Sequence, residues 1–108
     1  MTFAANLEIN NAIAEITLTG ELDAKTAPLF KQQVEKALTE NIQRLVLMMQ
    51  DLEYMASAGL RVLIFAKQKL GAAVEIYLIK PQAMVRDTIE KTGFHHSVTI
   101  SDEYQSAW

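Results

Sequence analysis

Ser57 is the residue of this chain best placed for chemistry. It stands in Tyr54-Met55-Ala56-Ser57-Ala58-Gly59-Leu60, behind an acidic, turn-prone lead-in of Asp51-Leu52-Glu53. An amphipathic run without glycine or proline then extends from Leu60 to Leu70, with Gly71 just past its end. A serine ahead of such a run reads as a helix N-cap, its hydroxyl accepting a hydrogen bond from a backbone N–H two or three residues on. A phosphate is favoured at the same place, because the first turn carries unpaired N–H groups and the positive end of the helix dipole. Ser57 is therefore compatible with three roles: cap, phosphoacceptor and nucleophile. The nucleophile fails on chemistry. Serine needs a base within hydrogen-bond reach, the elbow pattern Gly-x-Ser-x-Gly is absent, and the only histidines are His95 and His96. These two are read into a short late strand, where adjacent side chains point to opposite faces and make a poor metal pair. No catalytic residues, metal site or cofactor is expected, and the chain is not read as an enzyme.

The elements that must position Ser57 follow from hydrophobic periodicity. Leu7 and Ile9 alternate with polar neighbours, Asn10-Asn11 read as a turn, and Ala14, Ile16 and Leu18 alternate with Glu15, Thr17 and Thr19. That is a hairpin with one buried face. Gly20-Glu21-Leu22-Asp23 ends its second strand. Ala27, Phe30, Val34, Ala37 and Leu38 then share one helical face, with Pro28 in the first turn, where no N–H is needed. Leu45 to Met49 is a continuous apolar run, the pattern of a strand covered on both faces. The helix after Ser57 is expected to turn Leu60, Leu63, Ile64 and Leu70 inward, with Arg61, Lys67, Gln68 and Lys69 as its polar positions. Val74 to Ile79 reads as a strand, and Pro81 opens a third helix burying Val85, Ile89 and Met84. That helix ends at Lys91-Thr92-Gly93 with a glycine C-cap. His95 to Ile100 is the last strand, and Asp102 to Trp108 is read as a half-buried helical turn.

This order predicts one α/β domain over residues 1–108, with a mixed sheet of about five strands and three to four helices. The crossovers imply parallel pairing with right-handed connections, and the opening hairpin adds an antiparallel pair. Open sheets of this kind carry their sites beyond the carboxyl ends of the strands. Asp23 follows one strand and Ser57 the next, so both belong to the same end.

Bulk properties bound the function further. The 108 residues hold 13 acidic and 10 basic side chains, a net charge of -3 that is no footprint for nucleic acid. Cysteine is absent, which removes disulfides and thiolate chemistry and fits a reducing compartment. The apolar runs are too short to span a bilayer, and the N-terminal residues lack the pattern of a signal peptide. A small cytoplasmic domain with no membrane or nucleic-acid partner is the expectation.

Two segments together resemble a known family. Gly20-Glu21-Leu22-Asp23-Ala24-Lys25-Thr26-Ala27-Pro28 looks like the opening of the STAS domain, found in sulfate transporters and bacterial anti-sigma factor antagonists. Met55-Ala56-Ser57-Ala58-Gly59-Leu60 is similar to that domain's phosphorylation motif, Asp-Ser-Ser/Thr/Ala-Gly-Leu. The resemblance implies partner switching in signal transduction and transcription regulation. The unphosphorylated antagonist binds an anti-sigma factor that is also a serine kinase, an ATPase of the histidine-kinase-like type. Phosphorylation of the motif serine ejects it, and a metal-dependent phosphatase of the PP2C type resets it. By position the phosphoacceptor is Ser57. Asp23, Met55, Ala56, Gly59, Leu60 and Arg61 are expected at the partner-binding surface, with Arg61 also in reach of a phosphate one turn back. Ala56 departs from the family, which has an acid at that place to recruit or orient the kinase. The alternative is a STAS subunit that binds an ATPase constitutively, in a lipid-transport or scaffold complex.

Overall fold

In the computed structural model the described residues are 3–103. Strands β1 (Ala4–Asn10) and β2 (Ile13–Leu22) form the expected hairpin, with Asn10 paired to Ile13 across a two-residue turn. The turn sits one residue later than the sequence suggested: Asn11 and Ala12 carry the positive φ values, 51° and 65°. Two consecutive left-handed residues match the twist of a tight hairpin.

Helix α1 (Ala27–Leu38) buries Ala27, Phe30, Val34 and Ala37, with Pro28 in its first turn. Strand β3 (Arg44–Met55) lies parallel to β2 and then to β4 (Glu75–Ile79), and β5 (Thr99–Ser101) closes the sheet in the order β1-β2-β3-β4-β5. Each parallel step moves one place the same way, so right-handed crossovers set α1, α2 (Ser57–Leu70) and α3 (Ala83–Lys91) on one face. One apolar cluster joins that face to all three helices. A smaller cluster of Val46, Tyr77 and Ile79, flanked by Ile13 and Met48, lies on the other face. This accounts for the unbroken apolar run in β3.

Several expectations change. The lead-in Asp51-Leu52-Glu53 is strand, not turn. Two register shifts against β2 let β3 hold extra residues there, pairing Thr19 with Asp51, Gly20 with Leu52 and Leu22 with Met55. Each shift reverses the inward phase, so Leu52 and Met55 are buried while Asp51 and Glu53 stay exposed. In α2 the inward face is Gly59, Leu60, Val62, Leu63 and Ala66; Ile64 is 37% exposed. In α3, Val85 and Ile89 are buried as expected, but Met84 is 59% exposed. Gly71 ends α2 at φ 77°, its N–H bonded to the Lys67 carbonyl at 2.9 Å. His95 and His96 lie in a short 3-10 helix (Phe94–Ser97), not a strand, and their rings are tilted by 38° with centroids 3.9 Å apart. The closing helical turn expected up to Trp108 falls, from residue 104 on, outside the described residues. No helix among the described residues is long and apolar enough to cross a membrane.

The bulged half of β3 is thus a full part of the core. Leu52→Ala is expected to destabilise the protein by about 2–5 kcal/mol, the range for emptying a buried leucine site. Ile64→Ala is expected to change stability by less than about 1 kcal/mol. Urea unfolding of the two variants checks this, and equal losses would contradict the strand assignment.

Candidate functional site

The site is built where β2 and β3 end side by side. The Ala56 N–H donates to the Leu22 carbonyl at 2.8 Å, extending the parallel ladder up to the residue before α2. Ala56, extended at φ -85° and ψ 172°, is the N-cap, and its carbonyl accepts from the Gly59 N–H at 3.0 Å and the Leu60 N–H at 3.3 Å. Ser57 is therefore the first helical residue and not the cap. Its side chain makes no capping bond and is exposed. With the capping role absent, the hydroxyl stands free on the surface.

Gly59 explains why the helix can begin so close to the sheet. A Cβ on Gly59 would lie 2.6 Å from Leu22 Cγ, 2.7 Å from Leu22 Cδ2 and 3.2 Å from Met55 Cγ. Leu22 is fully buried and Met55 is 2% exposed, so neither has free space to move into. Gly59, Met55 and Leu60 were expected at the partner surface. All three are buried, Leu60 at 5% exposure, and their part is to seat α2 on the sheet. What they hold up to solvent is Ser57, half-buried Ala56 and Ala58, exposed Arg61, and Tyr54 at 41% exposure.

Asp23 sits immediately after Leu22, at the same end. Its Oδ1 accepts from the Lys25 N–H (2.9 Å), the Thr26 N–H (3.1 Å) and the Thr26 hydroxyl (3.2 Å). The Thr26 hydroxyl in turn accepts from the Asp23 N–H at 2.9 Å, and its one proton is shared between Asp23 Oδ1 and the nearer Glu21 carbonyl at 2.9 Å. The Asp23 carbonyl also receives the Ala27 N–H at 2.8 Å, starting α1. This reciprocal pair is a side-chain turn that competes with continued strand and satisfies the helix start. The Thr26 backbone N–H is the main cause holding the Asp23 carboxyl below the ordinary aspartate value, with Lys25 contributions added. Thr26 was not singled out from the sequence; its signal is the spacing Asp-x-x-Thr ahead of a proline-started helix.

Arg61 is one turn beyond Ser57 on α2, and no Asp or Glu occurs in that helix. His95 and His96 precede β5, which is parallel to β3, so they sit at the amino end of the sheet. Ser57 is at the carboxyl end. The imidazoles are out of reach as a base for its hydroxyl. On the α3 side, the Gln82 side-chain amide donates to the Gln50 carbonyl at 2.8 Å, fixing the start of that helix to the bulged strand.

The chain matches the STAS domain family over residues 4–107 and belongs to it. It is 25% identical over 84 residues to the anti-sigma-F factor antagonist RsfB of Mycobacterium tuberculosis, covering 78% of this chain and 69% of that protein. Its fold is similar to that of an anti-sigma factor antagonist from Mycobacterium paratuberculosis, with a TM-score of 0.86 at 22% identity over 94% of this chain and 87% of the other. It is also similar to the anti-sigma factor antagonist SpoIIAA in its unphosphorylated form, with a TM-score of 0.81 at 22% identity over 93% and 90% of the two chains.

Two outcomes follow from this geometry. Gly59→Ala is expected to destabilise the protein by about 1–3 kcal/mol, the usual penalty for overpacking a filled core. A thermal melt equal to the parent's would contradict the close approach to Leu22. Because the folded state holds Asp23 at a lowered pKa, its contribution is present above the unfolded aspartate value and is lost as pH falls through the folded one. Asp23→Asn is therefore expected to melt lower than the parent at pH 7. That difference should narrow as pH falls below about 4, where the free carboxyl begins to protonate. A gap that stays constant down to pH 2 would point away from the carboxylate.

Proposed function

We propose that this chain is an anti-sigma factor antagonist whose partner affinity is set by phosphorylation of Ser57. The observation that carries this reading is the exposed, uncapped Ser57 hydroxyl at the first position of α2. It stands at the sheet end where Asp23 also lies, in a STAS domain that matches a relative named an anti-sigma factor antagonist. The partner is a serine kinase of the histidine-kinase-like ATPase type that doubles as the anti-sigma factor, acting in the cytoplasm. It moves the terminal phosphoryl group of ATP to Ser57 Oγ, which loses its proton, and ADP leaves. A PP2C-type phosphatase hydrolyses the ester and restores the hydroxyl.

The surface around Ser57 supports a switch without refolding. The helix start tolerates the anion, because the first-turn N–H groups and the helix dipole stabilise it. About −1.5 to −2 charges then appear where Ala56, Ala58 and Tyr54 offer a low, weakly polar surface. A partner packed there must desolvate a dianion or lose contact. Asp23, with its Oδ1 already engaged by Lys25 and Thr26, acts chiefly by holding the β2–α1 turn beside the switch.

The second reading, a subunit that binds its ATPase constitutively, is favoured by one feature: alanine, not an acid, occupies the N-cap at residue 56. Calorimetry with a purified kinase of this class separates the two. Ser57→Ala is expected to bind like the unphosphorylated protein. The phosphorylated protein is expected to bind roughly a hundredfold more weakly, equivalent to about 3 kcal/mol. Equal affinities for the two forms would leave the constitutive reading standing.

A further inference from the structure

The geometry points to Arg61 as the internal counter-ion of a phosphate on Ser57, so that modification withdraws a cation from the surface as well as adding an anion. This inference rests on the reading of Ser57 as the phosphoacceptor. Its starting point is an arginine without work in the unmodified protein. The chain has three arginines. Arg44 pairs with Glu75 at 3.2 Å and Arg86 with Glu90 at 3.2 Å, whereas Arg61 has no ion pair or hydrogen bond among the described residues.

The reason lies in its helical neighbours. On a helix, side chains three and four residues apart meet. For Arg61 these are Ser57 and Ala58 on one side and Ile64 and Phe65 on the other. Only Ser57 carries a polar group, and a neutral hydroxyl gives a guanidinium little to hold. A phosphate on that oxygen reverses the situation. It offers several acceptor oxygens to a planar fork that bonds them bidentately. The anion lies four residues N-terminal to the cation, the favourable order for such a pair and for the helix dipole. Nothing on α2 competes, because the helix has no acidic residue.

Other charged groups at this sheet end are Glu21 near the end of β2, Asp23 and Lys25 on the segment after it, and Asp51 and Glu53 on β3. Asp23 is occupied by its own turn. Lys25 has no ion pair among the described residues and is a rival cation on that segment; Lys31 on α1, its Nζ 4.7 Å from the Phe65 ring centroid, also faces α2. In the unmodified state Arg61 is free to meet a partner; once paired to the phosphate it is not. The switch then acts on both signs of charge at once.

The test needs no kinase. Phosphoserine is installed at position 57 by semisynthesis, and the phosphate is titrated by phosphorus NMR in the parent, Arg61→Gln, Arg61→Lys and Lys25→Gln backgrounds. Circular dichroism confirms the fold of each, which is expected because both cations are exposed. The second phosphate pKa is expected to rise by about 0.15–0.4 unit in Arg61→Gln, the size of a surface helix pair acting on the one charge by which dianion and monoanion differ. Arg61→Lys should recover part of this, and Lys25→Gln should leave the value unchanged. Identical titrations in the parent and Arg61→Gln, or a shift that follows Lys25, would overturn the inference. Either result would leave the phosphoacceptor reading intact, since the phosphate is installed chemically. A kinase that never labels Ser57 would remove that reading without altering the measured pairing.

Discussion

The contact between the first turn of α2 and the end of β2 governs the rest of this structure. It consists of a backbone bond, Ala56 N–H to the Leu22 carbonyl, and a space that only a glycine at 59 leaves open against Leu22 and Met55. Because the helix starts against the sheet with no intervening loop, the orientation of Ser57 is inherited from two core strands. A side chain on a loop would have its own freedom to lose on being engaged. Here that cost is met when the protein folds.

The same contact decides which residues meet the solvent. Tight seating turns Leu60, Val62 and Leu63 into the core and leaves Ser57 and Arg61 on the outward side of one helical turn. Met55 lies beneath them as support. Beside exposed Ser57 in the chain stand half-buried Ala56 and Ala58, and Tyr54 three residues earlier is 41% exposed. Small side chains leave the backbone near the surface here, with Arg61 the charged neighbour one helical turn along.

Asp23 and Thr26 perform the matching task on the neighbouring strand. Their reciprocal hydrogen bonds stop β2 at Leu22 and turn the chain into α1 within a few residues. Leu22 is thereby held at the point where Gly59 and Ala56 need it. The two motifs that are distant in sequence, one around residue 23 and the other around residue 57, are the two sides of one joint.

The sequence by itself determined the element order, the hairpin, the three helices and the candidate serine, because each rests on local periodicity or on a short motif. It also placed Asp23 and Ser57 at one sheet end, since parallel strands joined by crossovers share a direction. What it could not give was phase. The bulges that pair Thr19 with Asp51 and Leu22 with Met55 depend on a strand about thirty residues away, so Asp51-Leu52-Glu53 resembled a turn although it is the sheet's continuation. The N-cap moved from Ser57 to Ala56 for the same reason: the ladder to Leu22 fixes where the helix begins. Burial of Gly59, Met55 and Leu60 likewise required the opposing face of Leu22. Local sequence set the chemistry available at this site, and long-range packing decided which of those groups faces solvent.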